Sequence, residues 1–258
     1  MLDKSILKKK FKYYLLKFAP KGFFINLELI NNLKYKLKSR SMDKTVFKEV
    51  WLKNIYNKNG VFVEEGDLVI DIGAHVGIFS TYASELSKSG KVYAFEPFKE
   101  NFKRLKMHKE LNHNEKLYIY NFGIGGENGK RTFYLHNKNT GGHSLHTNKN
   151  SKNKIEIETI RLSDFCKKEN IENIDFLKID CEGAEFEILK SDEKLLSKVK
   201  KIVLECHPFK NNNASYIINL LTRYNFHVIK ESEDMAEDKL QMIYAIKKRS
   251  EPIAKTEL

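Results

Sequence analysis

Beyond residue 60 the chain alternates short apolar runs with longer amphipathic stretches. Residues 68–72, 91–95, 117–122, 176–179 and 201–205 are apolar runs of strand length, while 77–88, 99–112 and a stretch through 184–189 read as helices. Strands this short and continuously apolar, separated by helices, imply a parallel sheet covered on both faces. Residues 226–230 and 241–247 read as two more strands, pairing antiparallel across ESEDMAEDKL. Between the third and fourth strands, 131–135 and 155–161 predict a hairpin around NKNTGGHSLHTNKNSKN. A polar loop of that length inside a compact domain is usually functional or disordered.

The first 60 residues follow a different pattern. In ILKKKFKYYLLKFAP, Leu7, Phe11, Tyr14, Leu15 and Phe18 recur at steps of three and four, with Lys8, Lys9, Lys10, Lys12 and Lys17 between them. The spacing predicts a basic amphipathic helix closed by Pro20 and Gly22. Two further helices are expected over 26–37 and 44–58. The chain thus divides into a basic helical N-terminal extension (1–60), a main domain (61–250) carrying a hairpin insertion (131–161), and a short tail (251–258).

Composition narrows the function classes. With 258 residues, 41% of them hydrophobic and 12% aromatic, the chain suits a globular domain with a sizeable core and argues against disorder. No apolar run approaches the roughly 20 residues that cross a bilayer, and the N-terminus lacks the pattern of a signal peptide, so a cytoplasmic protein is expected. Cys166, Cys181 and Cys206 are odd in number and lack metal-ligand spacing, which points to neither a disulfide framework nor a zinc site. The formal charge of +12 is concentrated: residues 1–60 hold 15 Lys and Arg against 4 acids. This basic region has three readings: peripheral contact with an anionic membrane, nucleic-acid binding, or a solvated cap over the core. Nucleic acid is the least supported, because no recognised binding motif accompanies the charge.

The candidate chemistry begins in LVIDIGAHVG. A strand that ends on Asp71 opens into a turn holding Gly73 and Gly77, where a doubly wound sheet brings its backbone close to a ligand. His75 takes the place of the second glycine of G-x-G-x-x-G, no glycine follows at the third spacing, and no P-loop occurs, which favours a nucleoside without bridging phosphates. Glu96 ends the second strand 25 residues after Asp71, where such folds place an acid against ribose hydroxyls. Phe98 could lie against a purine face, and Asp71 could hold a cationic amine, directly or through water. Amine, ribose and purine together describe S-adenosylmethionine.

DIGAHVG, VYAFEPFKENFKRL and IDFLKIDCEGAEFEILK, in that order and spacing, resemble the FkbM-type S-adenosylmethionine-dependent methyltransferases over about residues 60–206. The resemblance implies an α/β, Rossmann-like class I methyltransferase fold: a mostly parallel seven-stranded sheet with an antiparallel last strand. It implies methyl transfer to a hydroxyl, commonly on a sugar or natural product. By motif match, Asp71, Gly73 and Gly77 would line the methionine part of the cofactor and Glu96 the ribose. The family commonly has Asn where this chain has His75, and either side chain can donate a hydrogen bond.

The third block places Asp180 and Glu182 just past the fourth strand, and LECHPF places Glu205 and His207 past the fifth. Methyl transfer to a hydroxyl needs an aligned nucleophile and a base. Asp180 is the first candidate base and His207 the second, with Glu182 beside them. Two acids and a histidine could also hold Mg²⁺ or Mn²⁺, though no ligand-spacing rule is met. Blander readings stand beside these: acids cap helix N-termini, Phe98 merely packs, Asp164 is a helix cap, and Cys181 and Cys206 are small buried residues. His143 and Ser144 in the insertion read equally as substrate contacts or as a polar loop tip. The expected activity is O-methyl transfer to a sugar hydroxyl of a surface glycan or its lipid- or nucleotide-linked precursor. The rivals are methylation of RNA or protein, and a non-catalytic protein that senses cofactor or docks at a membrane.

Overall fold

The apolar runs become strands, and hydrophobic demand from both sides fixes their arrangement. The computed structural model describes residues 6–136, 140–146, 151–208, 213–231 and 240–248. The chain opens with α1 (Lys10–Phe18), β1 (Phe24–Glu28), β2 (Lys34–Lys38), α2 (Asp43–Phe47) and a π-helical turn over Lys48–Lys53. Next come β3 (Leu68–Ile72), α3 (Ile78–Leu86), β4 (Lys91–Phe95), α4 (Lys99–Leu111) and β5 (Leu117–Tyr120). The insertion holds β6 (Gly123–Ile124), β7 (Gly129–His136) and β8 (Ser151–Ile160). The chain continues through α5 (Leu162–Lys168), β9 (Ile174–Ile179), α6 (Glu185–Ser191), β10 (Val199–Cys206), α7 (Ala214–Arg223), β11 (Phe226–Glu231) and β12 (Gln241–Lys247).

Seven strands form one sheet in the order β11-β12-β10-β9-β3-β4-β5. β10, β9, β3, β4 and β5 run parallel, and β12 pairs antiparallel with both β10 and β11. Because β3 neighbours both β4 and β9, winding reverses there, and a crevice opens beyond the carboxyl ends of those strands. Successive strand residues enter opposite cores: Ile70, Ile72, Leu177 and Ile179 pack with α5, α6 and α7, whereas Val69, Phe176 and Val203 pack with α3 and α4. Burial on both faces explains why these strands lack polar–apolar alternation.

The N-terminal segment differs from the expected three helices. α1 forms, but 26–37 lies within the antiparallel β1–β2 hairpin, and the third helical stretch is shorter than expected, ending at Asn54 in a left-handed conformation. KYKLK alternates lysine with apolar residues, so a strand buries Tyr35 and Leu37 on one face while the lysines stay out, which a helix could not do. The segment shares the α3–α4 core through Leu16, Tyr35, Leu37, Phe47 and Val50. Arg104 of α4 makes a two-pronged ion pair with the fully buried Asp43. His108 of α4 donates from Nδ1 to the Val76 carbonyl and accepts the Lys36 N–H at Nε2, tying the hairpin to the main sheet.

The insertion is a three-stranded sheet, β6-β8-β7; the β7–β8 hairpin matches expectation and β6 is additional. Asp164 sits in the first turn of α5 rather than at its cap, accepting from Asn128. Residues 137–139 and 147–150 of the inserted loop, most of ESEDMAEDKL and the tail 251–258 lie outside the described residues. Among the described residues, no helix is long and apolar enough to cross a membrane.

Candidate active site

Gly73, the first residue after β3, shows why the turn is glycine-rich. Its φ is +78°, and a Cβ there would lie 1.7 Å from the Asp180 carbonyl oxygen. The turns after β3 and β9 are pressed backbone to backbone, and the Asp180 N–H donates to the Ile72 carbonyl. Gly77 has the same role against α4, since a Cβ would meet Leu105 Cδ1 at 2.4 Å. The His75 N–H donates to Glu96 Oε2 and the Phe98 N–H to Glu96 Oε1, each at 2.8 Å. Burial pushes the Glu96 carboxyl up to about 8 against the pull of these hydrogen bonds.

Asp71 faces Lys178 across the parallel β3–β9 pair. Its carboxylate, fully buried, accepts from Lys178 Nζ at 3.0 Å and from Ser80 Oγ at 2.6 Å. It therefore stands behind the cleft wall and holds Lys178, which itself lines the cleft. Lys178 Nζ also lies 3.6 Å from Asp180 Oδ2 and over the Tyr56 ring. Burial opposes its charge, but Asp71 and Asp180 outweigh burial and its pKa rises. Sequence reading missed Lys178; its one signal is a lone lysine in the apolar run IDFLKI.

Asp180, Glu182, Glu205 and His207 all line the same cleft as Gly73, His75 and Glu96, which encloses about 260 Å³. His207 Nδ1 lies 2.8 Å from Glu185 Oε1 and its Nε2 3.6 Å from Glu182 Oε2. Burial opposes a charge on the ring, but Glu185 and Glu182 outweigh it and raise the imidazole to about 10. The two acids thus favour the imidazolium form of His207. Burial also raises Glu182 to about 7, and raises Glu205, which is close to the negative Asp180.

Tyr56, delivered by the N-terminal segment, bridges the acids: its hydroxyl lies 3.0 Å from Asp180 Oδ2 and also contacts Glu205 Oε1. A phenol has one proton to donate, so satisfying both contacts requires that one acid carry a proton, in agreement with the raised Glu205. Asp180, Glu205 and His207 could each offer a metal ion one ligand atom, all within 4.8 Å of one another.

The insertion closes the far side. Thr140 Oγ1 lies 3.0 Å from His75 Nε2, and the Thr140 carbonyl accepts from Asn101. His143 Nδ1 accepts the His136 N–H, which leaves the proton of the neutral ring on Nε2. Burial lowers both His75 and His143 to about 4. Among the described residues, His75 Nδ1 and His143 Nε2 are buried without a hydrogen-bond partner, on rings that line the cleft. His143 and Ser144 are buried, so neither is a loop tip, and Ser144 Oγ donates to the Glu182 carbonyl. Phe98 packs edge-on against His143, centroids 4.5 Å apart, rather than forming the cleft wall. Cys166 and Cys206 are buried and free, Cys181 partly buried and free.

This sheet order, with its crevice between a glycine turn and an acid on the adjacent strand, is the architecture of the Rossmann-like class I methyltransferase fold. The chain belongs to the FkbM methyltransferase family: the Methyltransferase FkbM domain matches residues 71–228. It is similar to Methyltransferase 1 of Beauveria bassiana, 25% identical over 225 residues, 80% of this chain and 89% of that one. It is also similar to the 31-O-demethyl-FK506 methyltransferase FkbM of Streptomyces tacrolimicus, 24% identical over 220 residues, 74% and 84% of the two chains. Hexuronic acid methyltransferase AglP of Haloferax volcanii is 26% identical over 145 residues, 56% of this chain and 57% of that one. The cleft suits the cofactor of this class: Glu96 has lone pairs to spare, and two imidazoles each present a nitrogen unpaired among the described residues.

Proposed function

We propose that the protein transfers a methyl group to a hydroxyl, and that the hydroxyl belongs to a sugar of a surface glycan or of its lipid- or nucleotide-linked precursor. The observation that carries this reading is the convergence of Asp180, Glu182, Glu205 and His207 in one cleft that also contains Glu96. S-adenosylmethionine, when bound, supplies a methyl group activated by its sulfonium. Glu96 would accept from the ribose hydroxyls, the Gly73 turn would lie along the methionine part, and His75 and His143 would offer one nitrogen each. Asp71 would act indirectly, by keeping Lys178 charged.

An alcohol is a poor nucleophile until its proton is taken, so a carboxylate beside it contributes directly to the rate. Asp180 is the proposed base, oriented by Tyr56 and Lys178. The imidazolium form of His207 would balance the acids and hold the acceptor rather than take its proton. Glu182, with a pKa near neutrality, can exchange protons with water at working pH. The similarity to proteins named for a hexuronic acid and for a 31-O-demethyl substrate supports oxygen as the acceptor.

The test is incubation of the purified protein and methyl-labelled S-adenosylmethionine with glycan, lipid, RNA and protein fractions of the source cell. Label should enter the glycan or lipid-linked saccharide and be recovered as an O-methyl sugar after hydrolysis. Label entering only RNA or protein would overturn the reading.

A further inference from the structure

The helix α1 has two apolar faces, and only one meets the core. Tyr13 and Leu16 are buried against the N-terminal segment and the α3–α4 core. Phe11, Tyr14, Leu15 and Phe18 follow the i, i+3, i+4, i+7 rule of a core-facing stripe, yet they are exposed, Phe11 by 61% and Phe18 by 66%. At about 100° per residue, the centre of this stripe lies about 180° from the mean direction of Tyr13 and Leu16. The helix therefore presents its larger apolar face directly away from the protein. Phe23, in the turn that follows α1, is 60% exposed as well.

The charges around the stripe identify what meets it. Lys10 and Lys17 flank one edge and Lys12 the other, each about 100° from the stripe centre. Residues 6–27 contain six lysines and no Asp or Glu. We infer that α1 docks the protein on a bilayer surface rich in anionic lipid, with Phe11, Leu15 and Phe18 at the boundary between headgroups and acyl chains. Lysines at both edges can lay their stems along the apolar surface and place their ammonium groups among phosphates. Nucleic acid fits less well, because Leu15 sits within the stripe with neither a π-face for stacking nor a hydrogen-bonding group. The surface is also placed to matter for the site: α1 packs on α2, and Thr45 and Val46 of α2 line the cleft. The inference does not depend on which acceptor is methylated.

The test is co-sedimentation of the full chain with phosphatidylcholine vesicles, with and without phosphatidylglycerol. Binding should appear only with the anionic lipid and weaken as salt is raised, a readout that needs no variant. The double substitution Phe11→Ser with Phe18→Ser, and separately Lys10→Glu with Lys17→Glu, should each lower vesicle binding about tenfold or more, while calorimetry shows unchanged S-adenosylmethionine affinity. Equal binding to both vesicle types, wild-type binding by both double variants, or binding to single-stranded RNA with none to anionic vesicles would overturn the inference.

Discussion

Lys178 and Asp71 neutralise each other across two central strands where neither charge could stand alone. Replacing Lys178 with Met strands the Asp71 carboxylate, and a broken buried pair costs about 3–5 kcal/mol. Urea denaturation should show that loss in Lys178→Met and a smaller one when Asp71→Asn is added; a single variant as stable as the wild type would refute the pairing. Gly73 makes a second demand on one residue. Gly73→Ala combines a left-handed backbone with a Cβ inside the Asp180 peptide, and should cost about 3 kcal/mol or more in the same assay. At Glu96, Gln would turn an amide donor toward one of two backbone N–H groups, so calorimetry on Glu96→Gln should show S-adenosylmethionine affinity at least about tenfold lower. An unchanged affinity would remove Glu96 from the binding site. At this scale the sequence disclosed the acids and glycines by their place after apolar runs. It concealed Lys178, because a lysine inside a strand declares its function only when its cross-strand neighbour is known.

The N-terminal elements bring Tyr56 to acids more than a hundred residues away in sequence. Tyr56→Phe deletes the hydroxyl that joins Asp180 and Glu205 and leaves the ring packed against Phe79. Turnover should fall about tenfold or more, with cofactor affinity intact and the pH–rate profile displaced; an unaltered profile would make Tyr56 a packing residue only. The alternation in KYKLK and the Asn31–Asn32 turn were the available signs of the β1–β2 hairpin, but apolar spacing across 26–37 also fits a helix. α1 misleads in another way: its periodicity announces a helix and an apolar stripe, but not which side the stripe faces. Phe11 and Phe18 look like core residues in sequence and stand in solvent in the fold.

For the whole molecule, the buried titratable groups set how stability varies with pH. Glu96, Glu182 and His207 are raised to about 8, 7 and 10, and Glu205 is raised too, so the folded chain keeps protons that the unfolded chain releases near its ordinary carboxyl and imidazole values. Each such group makes stability fall as pH climbs from its unfolded to its folded pKa. His75, His108 and His143, lowered to about 4, act in the opposite sense, but only below about 6.5. The two sets oppose each other in mildly acid solution, and above that only the destabilising set remains. The melting temperature should therefore drop between about pH 6.5 and 9, and drop less in Glu96→Gln; a flat or rising profile over that range would contradict the assigned burial.

By itself the sequence determined the parallel sheet, the glycine turn after its first strand and the acids at the strand ends, because apolar periodicity and motif spacing are local properties of the chain. The tertiary structure decided which charges neutralise each other, that Asp71 stands behind the cleft, which acids face His207 and favour its charged form, and which face of α1 is left to solvent. Those outcomes depend on distances between residues far apart in sequence, and only the packed chain sets those distances.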